Sequence, residues 1–134
     1  MVSQPKTETD ATPECVLVVD DDAAIRLVLA DTLRDAGFCV IEARSGTDAV
    51  SYLRSGGRVD LIFSDIQMPG SIDGLQLARH VRAAYPAIPV ILTSGKYKAE
   101  YLDSTKNFVP KPYALDHVLA LITQILGLTD NADK

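Results

Sequence analysis

Apolar residues along this chain come in short, dense runs separated by amphipathic stretches. The first run, Cys15-Val16-Leu17-Val18-Val19, leads straight into Asp20-Asp21-Asp22. Brief, β-rich runs of this kind predict strands buried on both faces. Four more follow: Phe38 to Ala43, Val59 to Asp65, Ile88 to Thr93, and the short Asn107-Phe108-Val109-Pro110. Between them the apolar period lengthens to that of a helix. Ile25, Val28, Leu29, Thr32 and Leu33 make one stripe over residues 24–36, with an Asp of the acidic trio to cap it and Gly37 to end it. Ser45-Gly46-Thr47-Asp48 opens a short helix carrying Ala49, Val50, Tyr52 and Leu53, closed by Gly56-Gly57. Leu75, Leu77, Ala78 and Val81 mark a helix over about 75–85. Leu115, Val118, Leu119, Ile122, Ile125 and Leu126 mark another over 114–126. Residues 96–106 hold only a short helix, with Tyr97, Tyr101 and Leu102 as its apolar residues.

Five strand–helix repeats with short links predict an α/β domain, a doubly wound five-stranded parallel sheet with helices on both faces. That domain spans residues 14–128. Residues 1–13 are polar, without period, and read as a disordered tail, and 129–134 read as a second tail. At 134 residues the chain is the size of one domain with a proper core. Its net charge of −5, with no basic cluster, argues against nucleic acid or an anionic membrane as partner. No apolar stretch approaches the roughly 18 residues of a membrane span. The first residues lack the apolar core of a secretory signal, so a cytoplasmic location is expected. Cys15 and Cys39 have no metal-ligand spacing and are expected as free, buried thiols, although a bridge between neighbouring strands is not excluded.

Four of the strands end in polar chemistry: Asp20 and Asp21 after the first, Asp65 on the third, Thr93 on the fourth, Lys111 after the fifth. In a parallel sheet these ends share one edge, where open α/β sheets bind ligands. Three carboxylates in one pocket repel, and a hard divalent cation relieves them. Mg²⁺ suits one or two carboxylates, waters and an incoming phosphate. With a fixed ammonium and a hydroxyl donor, the set meets the needs of phosphoryl transfer.

On Val18-Val19-Asp20-Asp21-Asp22, Asp65-Ile66-Gln67-Met68-Pro69-Gly70, Asp73-Gly74, Leu92-Thr93-Ser94 and Lys111-Pro112-Tyr113, the chain resembles the receiver domain of bacterial two-component response regulators. The resemblance covers residues 15–127. It implies a CheY-like, flavodoxin-like sheet of order 2-1-3-4-5. It also implies that Asp65 is the nucleophile taking a phosphoryl group from a histidine kinase or histidine phosphotransfer protein. Asp21 and Asp65 would hold Mg²⁺ with the Gln67 backbone carbonyl, and Asp20 would act through metal-bound water. Lys111, joined to Pro112 by a cis bond, would pair with Asp65. Thr93 would swing to the phosphoryl group and let Phe108 turn inward, changing contacts on a face formed by the fourth helix, fifth strand and fifth helix.

Four features depart from the common pattern. The loop 69–74 is one residue longer, Ser94 stands where Ala is frequent, and Phe108 replaces the commoner Tyr. The Thr93-to-Phe108 segment lacks about one helical turn, which reshapes the output face. Gln67 and Gly95 occupy the two positions that tune acyl-phosphate hydrolysis in this family. His80 and His117 read as surface residues, and Tyr52, Tyr85, Tyr97 and Tyr101 as half-buried aromatics. Two other readings stand beside the switch: an interaction module that keeps the acidic pocket without using it, and a metal-dependent aspartyl phosphatase. Gln67, where a general acid would be needed, disfavours the phosphatase.

Overall fold

The computed structural model describes residues 12–128, so the tail assigned to 129–134 and nearly all of the one assigned to 1–13 lie outside the described residues. Five strands alternate with five helices: β1 Cys15–Val19, α1 Ala23–Asp35, β2 Cys39–Ala43, α2 Gly46–Arg54, β3 Leu61–Asp65, α3 Gly74–Ala84, β4 Val90–Ser94, α4 Glu100–Ser104, β5 Asn107–Pro110 and α5 Leu115–Ile125. The strands form one parallel sheet in the order β2-β1-β3-β4-β5. The doubly wound parallel sheet is the one the repeats predict, and its order is the CheY-like one the resemblance implies.

Period-two alternation along each strand splits the core into two layers. Leu17, Val19, Ile62 and Leu92 face α2, α3 and α4, where they meet Ala49, Leu53, Leu77, Val81 and Tyr101. Val16, Val18, Phe63, Ile91 and Val109 face α1 and α5, against Leu29, Leu33, Val118 and Ile122. Each large apolar side chain so buried contributes about 1.5–3 kcal/mol relative to exposure. Both faces of the central strands are covered, which is why they read as unbroken apolar runs rather than alternating ones.

The starts of α1, α2 and α3 are set by local side-chain acceptors. Asp22 accepts from Ile25 N–H, Ser45 from Asp48 N–H, and Asp73 forms a reciprocal capping box with Gln76. Gly37, at φ +100°, ends the turn after α1 in a conformation that disfavours side chains. The inward face of α1 differs from the expected stripe. Leu29, Ala30 and Leu33 are buried, whereas Ile25 and Val28 are exposed, Val28 by 52%. The helix axis is rotated so that Ala30, too small to register in a hydrophobic stripe, makes the close approach to the sheet.

The fourth helix is short as expected, five residues without a side-chain cap. Among the described residues no helix is long and apolar enough to cross a membrane. Cys15 and Cys39 are in register on neighbouring strands and are free thiols.

Candidate functional site

The carboxyl ends of β1, β3 and β4 and the loop after β5 meet at one edge of the sheet. Parallel register sets Asp65 beside Thr93 and carries Asp20 just past Val19, the partner of Ser64. Asp20 and Asp65 are 3% and 6% exposed, while Asp21 faces solvent. One carboxylate oxygen from each of Asp20, Asp21 and Asp65 lies within 4.8 Å of the other two. Lys111 Nζ stands 3.3 Å from Asp65 Oδ2 and 3.8 Å from Asp20 Oδ2. The Lys111–Pro112 peptide is cis.

Burial pushes the Asp20 and Asp65 carboxyls above the ordinary carboxylate range, and the neighbouring acids push the same way. Lys111 pulls both back, and Asp20 is also held down by the N–H of Asp22, 2.9 Å from its Oδ1. Tyr113 lies close enough for both acids to matter: burial first, then Asp20 and Asp65, push its phenol up to about 12. Its ring meets Phe63 edge-on at 5.5 Å. A pocket with more carboxylate than ammonium has a residual demand for positive charge. Three oxygen donors on one side suit a small hard cation, so the donor set fits Mg²⁺.

Thr93 is fully buried and its hydroxyl donates to Val109 C=O at 2.7 Å, across to β5. Phe108 is half-buried between Tyr97 and Tyr101, with ring centroids at 5.8 and 5.7 Å. The residues that the resemblance assigns to the site lie at this edge or one strand away: Asp20, Asp21, Asp65 and Lys111 in contact range, Thr93 adjacent, Gln67 in the loop above, Phe108 on the neighbouring strand β5. Gly74 lets that loop close over β3. A Cβ there would sit 2.2 Å from Asp65 O and 2.7 Å from Ile66 Cα.

Several participants had no sequence signal of their own. Arg26 donates to Asp20 C=O at 2.7 Å and to Glu42 Oε1 at 3.1 Å, pinning the end of β1 to β2. Tyr101 is not half-buried as expected. It is 2% exposed, and its hydroxyl accepts from Gln67 Nε2 at 2.9 Å. Ser94 donates to the same amide, to Oε1 at 2.5 Å. An apolar groove lined by Ala24, Ile25, Val28, Pro112, Tyr113 and Leu115 reaches Lys111, so the exposed side of α1 abuts the acidic edge.

A doubly wound sheet that gathers an acidic cluster and a lysine at its carboxyl edge is the architecture of a receiver domain. Comparison with known proteins agrees: the sequence profile of the family described as the response regulator receiver domain matches residues 16–123. The chain belongs to this family. It is 33% identical over 121 residues to the sensor kinase CckA of Brucella abortus, covering 86% of this chain and 13% of that protein. It is also 33% identical over 117 residues to the DNA-binding transcriptional regulator NtrC of Escherichia coli K12, covering 84% of this chain and 24% of that one. The chain thus spans a minor part of these relatives. Among solved structures, the response regulator TrrA of Thermotoga maritima in complex with Mg²⁺-BeF superposes with a TM-score of 0.74 at 28% identity, over 84% of this chain and 98% of that one.

Proposed function

We propose that this domain is a phosphoacceptor switch in which Asp65 is the phosphorylated residue. The observation that carries the reading is the Lys111 ammonium 3.3 Å from Asp65, inside a group of three carboxylates with a surplus of negative charge. An Asp65 oxygen bonds to the phosphorus of a phosphohistidine on a histidine kinase or histidine phosphotransfer protein. The P–N bond breaks, its electron pair leaving with the imidazole. Asp20, Asp21, Asp65 and the Gln67 carbonyl would hold Mg²⁺, which when bound neutralises charge on the phosphoryl oxygens. Lys111 adds a second, fixed positive charge on the same oxygens. Thr93 can donate to the new anion only by leaving Val109 C=O, and the space it vacates lets Phe108 move inward.

The groove between Ile25, Val28 and Pro112 gives the phosphodonor protein an apolar surface beside the reactive carboxylate. The changed contacts then fall on the face of α4, β5 and α5, for a downstream protein partner. The surplus of acidic over basic residues supports protein rather than nucleic acid or membrane as the partner, in a cytoplasmic setting. The reaction is on the protein itself, so the domain acts as a signalling component rather than an enzyme with turnover on a separate substrate.

Mass spectrometry after treatment with a small phosphodonor tests this. A gain of about 80 Da, one phosphoryl group, is expected on Asp65 with Mg²⁺ and not in Asp65→Asn. An unlabelled wild-type protein would leave the non-switching module, and sustained turnover of phosphate esters would leave the phosphatase.

A further inference from the structure

Phe108 has no hydroxyl through which its position could be fixed, yet a buried hydroxyl lies next to it. Tyr101 Oη accepts from Gln67 Nε2 at 2.9 Å, and the Tyr101 ring stands 5.7 Å from that of Phe108. The other end of the Gln67 amide is engaged by Ser94, whose hydroxyl donates to Oε1 at 2.5 Å and accepts from Lys96 N–H at 2.9 Å. Gln67 follows Asp65 by two residues, and Ser94 follows Thr93 by one. We infer that Ser94, Gln67 and Tyr101 form a latch that joins the phosphoacceptor edge to α4, with Tyr101 and Ser94 as positioning residues acting through the Gln67 side chain. This rests on the phosphoacceptor reading and specifies how that site is regulated.

Both polar atoms of the Gln67 amide are satisfied, so the loop after β3 and helix α4 are held in one relative arrangement. Helix α4 is otherwise anchored by the Tyr101 ring in the core and by Arg82, which donates to Asp103 C=O at 2.6 Å. It is a single turn without a side-chain cap, and its Tyr101 and Leu102 amides reach back only to Lys98 and Ala99. Thr93 and Ser94 are consecutive at the end of β4, so the link runs through this strand end: its adjustment as Thr93 turns from Val109 toward an anion on Asp65 is what pulls on the Ser94 hydroxyl. Released by Ser94, the Gln67 amide no longer has a fixed orientation, and the buried Tyr101 hydroxyl loses its donor. The occupied site therefore loosens α4. By reciprocity, a partner that holds α4 in its resting place disfavours an anion on Asp65.

The experiment is amide hydrogen exchange followed by NMR, with Mg²⁺ alone and with Mg²⁺ plus beryllofluoride as phosphoryl mimic. Bound beryllofluoride is counted separately from its ¹⁹F signal. In the wild type, beryllofluoride is expected to speed exchange at Tyr101 and Leu102 by roughly five- to tenfold, the factor one hydrogen bond is worth. Tyr101→Phe, which keeps the ring, should show the faster rate with Mg²⁺ alone and gain little from beryllofluoride. Ser94→Ala should behave alike, and Ser94→Ala combined with Tyr101→Phe should be no faster than either alone. Unchanged or slower α4 exchange in a wild type that carries bound beryllofluoride overturns the latch while sparing the phosphoacceptor reading. So do multiplying effects in the double variant. A wild type with no bound ¹⁹F signal overturns both.

Discussion

Replacing Asp65 with Asn should stabilise the metal-free protein. At an effective dielectric of about 20, charges no more than 4.8 Å apart repel by at least ~3.5 kcal/mol. Asp65 faces one such buried neighbour in Asp20, and a second, Asp21, whose exposure lets solvent screen it. Against this, Lys111 at 3.3 Å attracts by about 5 kcal/mol on the same scale. These Coulomb contributions nearly cancel. What remains is the cost of holding the charge in a site only 6% exposed, and burial is the largest cause of the upward pKa shift. Neutralisation removes that cost and leaves Lys111 paired with Asp20 at 3.8 Å, so a net gain on the order of 1–2 kcal/mol is expected. For a domain of this size that is a rise of roughly 4–8 °C in Tm. Thermal unfolding followed by circular dichroism at pH 7 in EDTA measures it. Saturating Mg²⁺ should then stabilise the wild type, by about 2.7 kcal/mol at a hundred times its Kd, and Asp65→Asn much less. A Tm in EDTA that falls in Asp65→Asn would show that the three acids are not in conflict, and the argument for a cation would fail with it.

Three further outcomes follow from particular contacts. Gly74→Ala forces a Cβ against the Asp65 carbonyl and Ile66 Cα, backbone atoms that cannot turn aside, so denaturant titration should register a loss of about 1–3 kcal/mol. Lys111→Met should abolish ¹⁹F-detected beryllofluoride binding while leaving Mg²⁺ binding at least as tight, since the ammonium competes with the cation for Asp20 and Asp65; unaltered beryllofluoride affinity would remove Lys111 from the site. Burial raises the Cys15 thiol to about 11, so the folded state keeps a proton that the unfolded chain gives up near 9; this stabilisation is complete below pH 9 and lost as pH climbs through 11. Accordingly, Cys15→Ala should flatten the fall in stability over that window, and an unchanged slope would refute the assignment.

The fold was legible because buried parallel strands have a loud signature, and the site because it consists of strand ends. Once five runs were recognised, Asp20, Asp65, Thr93 and Lys111 had to share an edge, whatever the details of packing. The stripe on α1 was misread for a definite reason. Ile25 and Val28 look like core by hydrophobicity, but the helix approaches the sheet through Ala30, and the two larger residues are left beside Lys111. Tyr101 was misread because burial in a one-turn helix has no periodicity to betray it. Its partner Gln67 is 34 residues away in sequence, and Ser94, which donates to the same amide, is 27 residues from Gln67, so no local pattern links them. Arg26 was silent for the same reason, since its acceptors, the Asp20 carbonyl and Glu42, are united only by the β1–β2 pairing.

The sheet divides the molecule so that the groove beside Lys111 rests on the α1 and α5 layer, while the hinge-like α4 rests on the opposite one. Those two layers are built from alternate residues of the same strands and have no buried side chain in common. A donor can then lean on the α1 layer while α4 rearranges on the opposite flank, and α5, which lines the donor groove through Leu115 and also belongs to the output face, is the element where drift in one surface is felt by the other.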